Sequence, residues 1–136
     1  MKKIYLLFIL FSLFKIDANA QLDSLITYCS NHLQYPYMSD GQQYRAMLTS
    51  GETAQFNMTF YGGATYRIVA ATEPKDASVI FRLYDKNQNE LFSNSNYNNS
   101  TYWDFKFTST VECYLEAELP DGKPSGFVIM FIGFKQ

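Results

Sequence analysis

One histidine and two cysteines in 136 residues leave little with which to build a catalytic or metal centre. A zinc site of several histidines is excluded, and no cysteines stand at zinc-ligand spacing. Nor is there a Cys-x-x-Cys pair for redox exchange. Lysine and arginine nowhere cluster, so the basic patch that a phosphate backbone requires is missing and nucleic acid is not an expected partner. Neither a Gly-x-Ser-x-Gly turn nor a phosphate-cradling glycine loop occurs. Gly62-Gly63 stands in the context of a hairpin turn instead. Beyond residue 20 no apolar run is long enough to span a membrane, which takes about 20 residues.

What is present begins with an export signal. Lys2 and Lys3 precede an apolar run from Ile4 to Phe14, and Ala18-Asn19-Ala20 supplies small residues at a cleavage site. This three-part layout predicts a signal peptide over residues 1–20 and a periplasmic or secreted protein. Its removal takes Lys2, Lys3, Lys15 and Asp17, and leaves a net charge of −4. In an oxidising compartment Cys29 and Cys113 are expected to form one disulfide, the alternative being two unpaired buried thiols that pack as small hydrophobes. The long loop it closes would stabilise the fold by about 4–5 kcal/mol in the chain-entropy view.

In residues 21–43 the spacing predicts a helix over 22–34 and then a connector. Leu22, Leu25, Ile26, Cys29 and Leu33 lie on one helical face, and Asp23 and Ser24 are candidate caps. Pro36 and Asp40-Gly41 mark the connector. Over 44–136 the period changes to two. Short strands are expected near 44–49, 54–60, 64–71, 77–84, 89–93, 102–108, 111–119 and 126–134. The breaks at Ser50-Gly51, Gly62-Gly63, Pro74-Lys75-Asp76, Asp85-Lys86-Asn87, the Asn/Ser stretch 93–100 and Pro120-Asp121-Gly122 are turn formers. Strands at this spacing predict an all-β, antiparallel sandwich of about eight strands with one short N-terminal helix.

Alternation assigns the faces. Trp103, Phe105 and Phe107 share one, as do Val111, Cys113, Leu115, Ala117 and Leu119. The last strand is apolar on both faces, with Phe127, Ile129 and Phe131 opposite Val128, Met130, Ile132 and Phe134. Its outer face needs a cover, which is either the helix or a partner protein. If Cys113 points between the sheets, the helix reaches it only at an open end of the sandwich.

The run Phe56-Asn57-Met58-Thr59-Phe60-Tyr61-Gly62-Gly63-Ala64-Thr65-Tyr66-Arg67-Ile68 carries a family likeness. Val79-Ile80-Phe81-Arg82-Leu83-Tyr84-Asp85-Lys86-Asn87 extends it. Together they resemble the bacterial pre-peptidase C-terminal domains over about residues 44–134. The resemblance implies a jelly-roll-like sandwich and a non-catalytic accessory role, in which some members bind calcium or extracellular polymers. The N-terminal helix is a departure from that pattern.

Four groups of residues are candidates for chemistry. Cys29 and His32 are three apart on the helix, but a cross-linked cysteine beside a surface histidine is the expected arrangement. Glu112, Glu116 and Glu118 share a strand face that is expected to be solvated rather than an acid–base cluster. Asp85, Asn87 and Asn89 place oxygens at alternate positions, as at the start of a calcium loop. The glycine and distal glutamate of an EF-hand are missing. No cofactor is expected, and calcium there is the single metal candidate. The stretch from Ser93 to Trp103 is polar and Asn-rich. Tyr97 and Tyr102, with Asn96 and Asn98, are its candidate ligand-binding residues, because rings that stack beside amides that hydrogen-bond suit a glycan or a protein. The expected function is a non-catalytic binding or interaction module for a glycan or an extracellular or periplasmic protein. The alternative is a structural subunit that pairs through the apolar C-terminal strand or a sheet edge.

Overall fold

A computed structural model describes residues 18–74 and 77–136. Most of the expected signal peptide, residues 1–17, lies outside the described residues. The expected cleavage point after Ala20 falls in the first turn of helix α1 (Ala18–Asn31). The helix thus starts before Asp23, which is no cap: its carbonyl accepts from Thr27 Oγ1 at 2.9 Å.

Among the described residues nine strands follow: β1 (Met38–Ser39), β2 (Tyr44–Thr49), β3 (Thr53–Phe60), β4 (Thr65–Thr72), β5 (Ile80–Asp85), β6 (Glu90–Ser93), β7 (Tyr102–Lys106), β8 (Val111–Glu118) and β9 (Ser125–Lys135). They form two antiparallel sheets. One runs β1-β9-β4-β7, with β2 also on β9, and the other runs β3-β8-β5-β6. The pairings nest around the Asp85–Asn89 turn: β5 with β6, β4 with β7, β3 with β8 and β2 with β9. Successive pairs go to alternate sheets, which is a long double ribbon rolled into a sandwich. This is the strand order of a jelly roll. β1, inside the expected connector, joins the same edge of β9 as β2. Met38 lies opposite Phe134, and Tyr44 opposite Met130.

The alternation expected in the sequence sets the layers. Phe60, Ile68, Phe81, Leu83, Cys113, Leu115, Val128, Met130 and Ile132 fill the space between the sheets. The opposite faces of β4 and β9 present Val69, Ala71, Ile129 and Phe131, and α1 covers them with Leu25 and Cys29. The helix is therefore the cover of the doubly apolar last strand. Gly133 permits a close approach there, since a Cβ at that position would sit 2.7 Å from Leu33 Cδ2.

The expected Cys29–Cys113 disulfide is not formed. Both thiols are free and buried. Cys113 packs between the sheets and Cys29 packs beneath the helix, so the β1-β9-β4-β7 sheet stands between them. Side chains on opposite sides of a sheet cannot meet the short Cβ separation of a disulfide. Burial pushes the Cys29 thiol up to about 12 and raises Cys113 as well.

Candidate functional site

The rim loop from Asn94 to Thr101 carries the chain from β6 in one sheet to β7 in the other. It begins as a 3-10 turn over Asn94–Tyr97, started by Ser93, whose side chain accepts from the Ser95 amide. Asn94, fully buried, holds the loop. Its Oδ1 accepts from Phe81 N at 2.9 Å, and its Nδ2 donates to Val79 O at 2.8 Å and Ser100 O at 3.0 Å. The amides of Asn98 and Asn99 return to the Asn94 carbonyl. Asn98 and Asn99 both take left-handed φ, at 56° and 51°, a region that asparagine tolerates better than most residues. One interior amide thus fixes both ends of a polar loop, and Asn96, Tyr97 and Asn98 are left outward and exposed.

Tyr97 is 49% exposed, yet its ring is seated. It lies 4.2 Å from the Trp103 ring and stacks on Phe92 at 5.6 Å and 9°. Phe92 and Trp103 contact each other at 5.3 Å. A half-exposed aromatic held in place by two others loses little entropy on binding, which is the property contact aromatics need.

Tyr102 does not join that surface. Trp103 points between the sheets, so its neighbour Tyr102 points to the helix side. There Tyr102 packs against His32 at 5.4 Å and against the Arg67 guanidinium at 4.5 Å. Arg67 also lies 4.2 Å from the Tyr37 ring, and it makes a forked pair with Asp104 at 2.7 and 2.9 Å. Tyr37 donates to the same carboxylate at 2.9 Å. Arg67 Nη1 donates to the His32 carbonyl at 3.0 Å, just past the end of α1. The cluster ties the helix C-terminus to β4 and β7, which stand opposite each other at Arg67 and Asp104. The Arg67 bonds hold the Asp104 carboxyl below its ordinary value despite partial burial. The pairing of Tyr97 with Tyr102 in one binding surface is therefore corrected: strand alternation sends the two rings to different sides of the sheet.

The other candidates have structural partners. Cys29 is buried under the helix, while His32 Nδ1 is 2.9 Å from the Tyr28 carbonyl. A buried thiol pushed to about 12 is no nucleophile. Glu116 and Glu118 share Arg82, at 3.3 and 2.8 Å, and Glu112 pairs with Lys86 at 3.4 Å. Each carboxylate is compensated by a cation across the sheet face. Asp85 accepts from the Asn87 and Asn89 amides at 2.9 Å and from Asn89 Nδ2 at 3.0 Å. Those bonds lower its pKa and close the turn at the centre of the nested strands.

Sequence reasoning passed over Asn94, which has the same side chain as its exposed neighbours. Only its placement opposite the start of β5 distinguishes it. Arg67 and Asp104 carried a faint signal as opposite charges on the outward faces of two strands.

No family model matches the sequence, and no curated protein matches it. Among solved structures the chain is similar to PliG of Aeromonas hydrophila, a periplasmic lysozyme inhibitor of g-type lysozyme. The TM-score is 0.55 at 9% identity, over 75% of this chain and 90% of that one. At that identity the likeness is one of fold, and it places the chain among all-β sandwiches of this build.

Proposed function

We propose that this chain is an exported, non-catalytic module that binds a protein partner through its rim loop, with Asn96, Tyr97 and Asn98 as the contact residues. The observation that carries the reading is the loop itself. A buried asparagine fixes it from inside, and a seated, half-exposed tyrosine stands at its surface. Function on a β-sandwich belongs to its loops, which a rigid scaffold positions. Protein is favoured over glycan because the two-ring platform for a sugar is not assembled. The resemblance to pre-peptidase C-terminal domains supports a non-catalytic role. The fold likeness to a periplasmic lysozyme inhibitor supports a protein partner, and a g-type lysozyme is the partner proposed.

The test is direct binding of the purified protein to g-type lysozyme, with lysozyme activity followed in parallel. Binding and inhibition are expected, weakened at least tenfold by Tyr97→Ala, as for a contact aromatic worth about 1.4 kcal/mol or more. Tyr97→Phe keeps the stacking and should bind more tightly than Tyr97→Ala. Absence of binding overturns the choice of partner, and binding indifferent to Tyr97→Ala overturns the site.

A further inference from the structure

Four strand edges border no other strand among the described residues, and three of them carry devices that discourage pairing. The β1–β2 edge is broken between Ser39 and Tyr44, where the chain leaves register with β9, and it carries Arg45. The β7 edge is five residues long and carries Asp104 and Lys106. The β6 edge is four residues long, starts with Glu90 and lies beside an irregularity at Leu83/Tyr84.

The β3 edge has none of these. Thr53-Ala-Gln-Phe-Asn-Met-Thr-Phe60 is eight residues without a charge or a proline, and its register with β8 is unbroken. Its outward side chains, Thr53, Gln55, Asn57 and Thr59, are exposed and neutral. Its inward ones, Ala54, Phe56 and Met58, are only half-buried against the core. Beside them the sandwich gapes toward β2. A cleft of about 710 Å3 opens there, lined by Tyr44, Met58, Phe60, Tyr66 and Phe134.

We propose that β3 pairs antiparallel with β3 of a second copy, joining two sandwiches into a dimer through one continuous sheet. A second copy is the occupant that the strand's own pattern fits. The strand is neutral in an acidic chain, so two copies meet there without like-charge repulsion. The partner's Phe56 and Met58 then extend the half-buried row toward the mouth of the cleft. Such an interface is isologous and closed, as two-fold pairing requires.

The alternation also fixes the register. In a two-fold antiparallel pair, opposed residues have a constant sum, and apolar meets apolar only when that sum is even. The axis therefore passes beside a residue, either Phe56 or Asn57 at the middle of the strand, and never between two.

The experiment is sedimentation of the purified protein over a wide concentration range, with two kinds of variant. The wild type should show a reversible monomer–dimer equilibrium. Asn57→Lys sets two like charges near the axis from an exposed position and should weaken the dimer at least about tenfold, while the melting curve at concentrations too low for the dimer stays unchanged. Asn57→Cys should cross-link to itself on mild oxidation if the axis passes that residue. If the axis passes Phe56, Gln55→Cys should cross-link to Asn57→Cys in a mixture of the two. A monomer at every concentration overturns the proposal, and so does a dimer indifferent to Asn57→Lys with no cross-link. Tyr97→Ala should leave the dimer intact, so failure here and failure of the rim-loop reading are separable.

Discussion

The two faces of the β1-β9-β4-β7 sheet are built to different standards. The face toward the second sheet is packed with large rings and branched chains, among them Phe60, Phe81, Ile68 and Leu115, contributed by strands from both sheets. The face toward α1 is a thinner layer of Leu25, Cys29, Val69, Ala71, Ile129 and Phe131. It adjoins an open cavity of about 720 Å3 beside Leu22, Leu25, Met47 and Phe127. At its other end the helix is tied by the Arg67–Asp104 cluster. A short helix lives by tertiary packing rather than by its own propensity. One face is thus the body of the fold, and the other is a docked element anchored at one end by Arg67 and bordered at the other by a cavity.

The sharpest way to break that contrast is to carve each layer in turn. Leu115→Ala removes a fully buried side chain between the sheets and should cost about 3–5 kcal/mol, read as a lower denaturation midpoint with a single transition. Leu25→Ala removes a side chain of equal size beneath the helix. Its neighbours can relax toward the adjoining cavity, so the expected cost is smaller, about 2–3 kcal/mol. The thiols report the layers separately. Both should resist alkylation in the native protein, and in Leu25→Ala at low denaturant Cys29 should react before Cys113. Equal rates for the two thiols would mean that the layers open as one.

The smallest effect concerns the anchor. The folded pKa of Asp104 is lowered, so its contribution is complete above the ordinary value of 3.8 and is lost as pH falls through the folded value. Asp104 is partly exposed, and solvent discounts the pair to about 0.5–1 kcal/mol. Asp104→Asn should lose that amount near neutral pH and converge with the wild type in acid. A difference independent of pH would assign the effect to packing instead of charge.

The strands from Tyr44 onward were legible because apolar residues recur every second position between turn formers, and burial on one face rewards that period. β1 was not, since two residues inside a connector have no period to show. The first turn of α1, Ala18 to Gln21, carries no apolar stripe of its own, so periodicity placed the start of the helix at Leu22. The face of Cys113 was readable from Val111 and Leu115, but which side of the sandwich that face met was not. The disulfide expectation failed on that one missing fact. In the rim loop, composition located a polar surface but could not sort Asn94 from Asn96, which have the same chemistry and opposite burial. Nor did it separate Tyr97 from Tyr102, because the alternation of β7 governs the second residue and the 3-10 turn governs the first.

The nesting of strands also sets a timetable. β9 is the middle of its sheet, with β1 and β2 on one side and β4 on the other, and it is formed by residues 125–135. Until that segment emerges from the ribosome, strands made some sixty to ninety residues earlier have no centre to gather on, and α1 has only part of its floor. Contacts so distant in sequence are slow to form. The pairs β5–β6, β4–β7 and β3–β8 need no residue of β9, so the sheet that carries α1 closes last, after the sheet it faces.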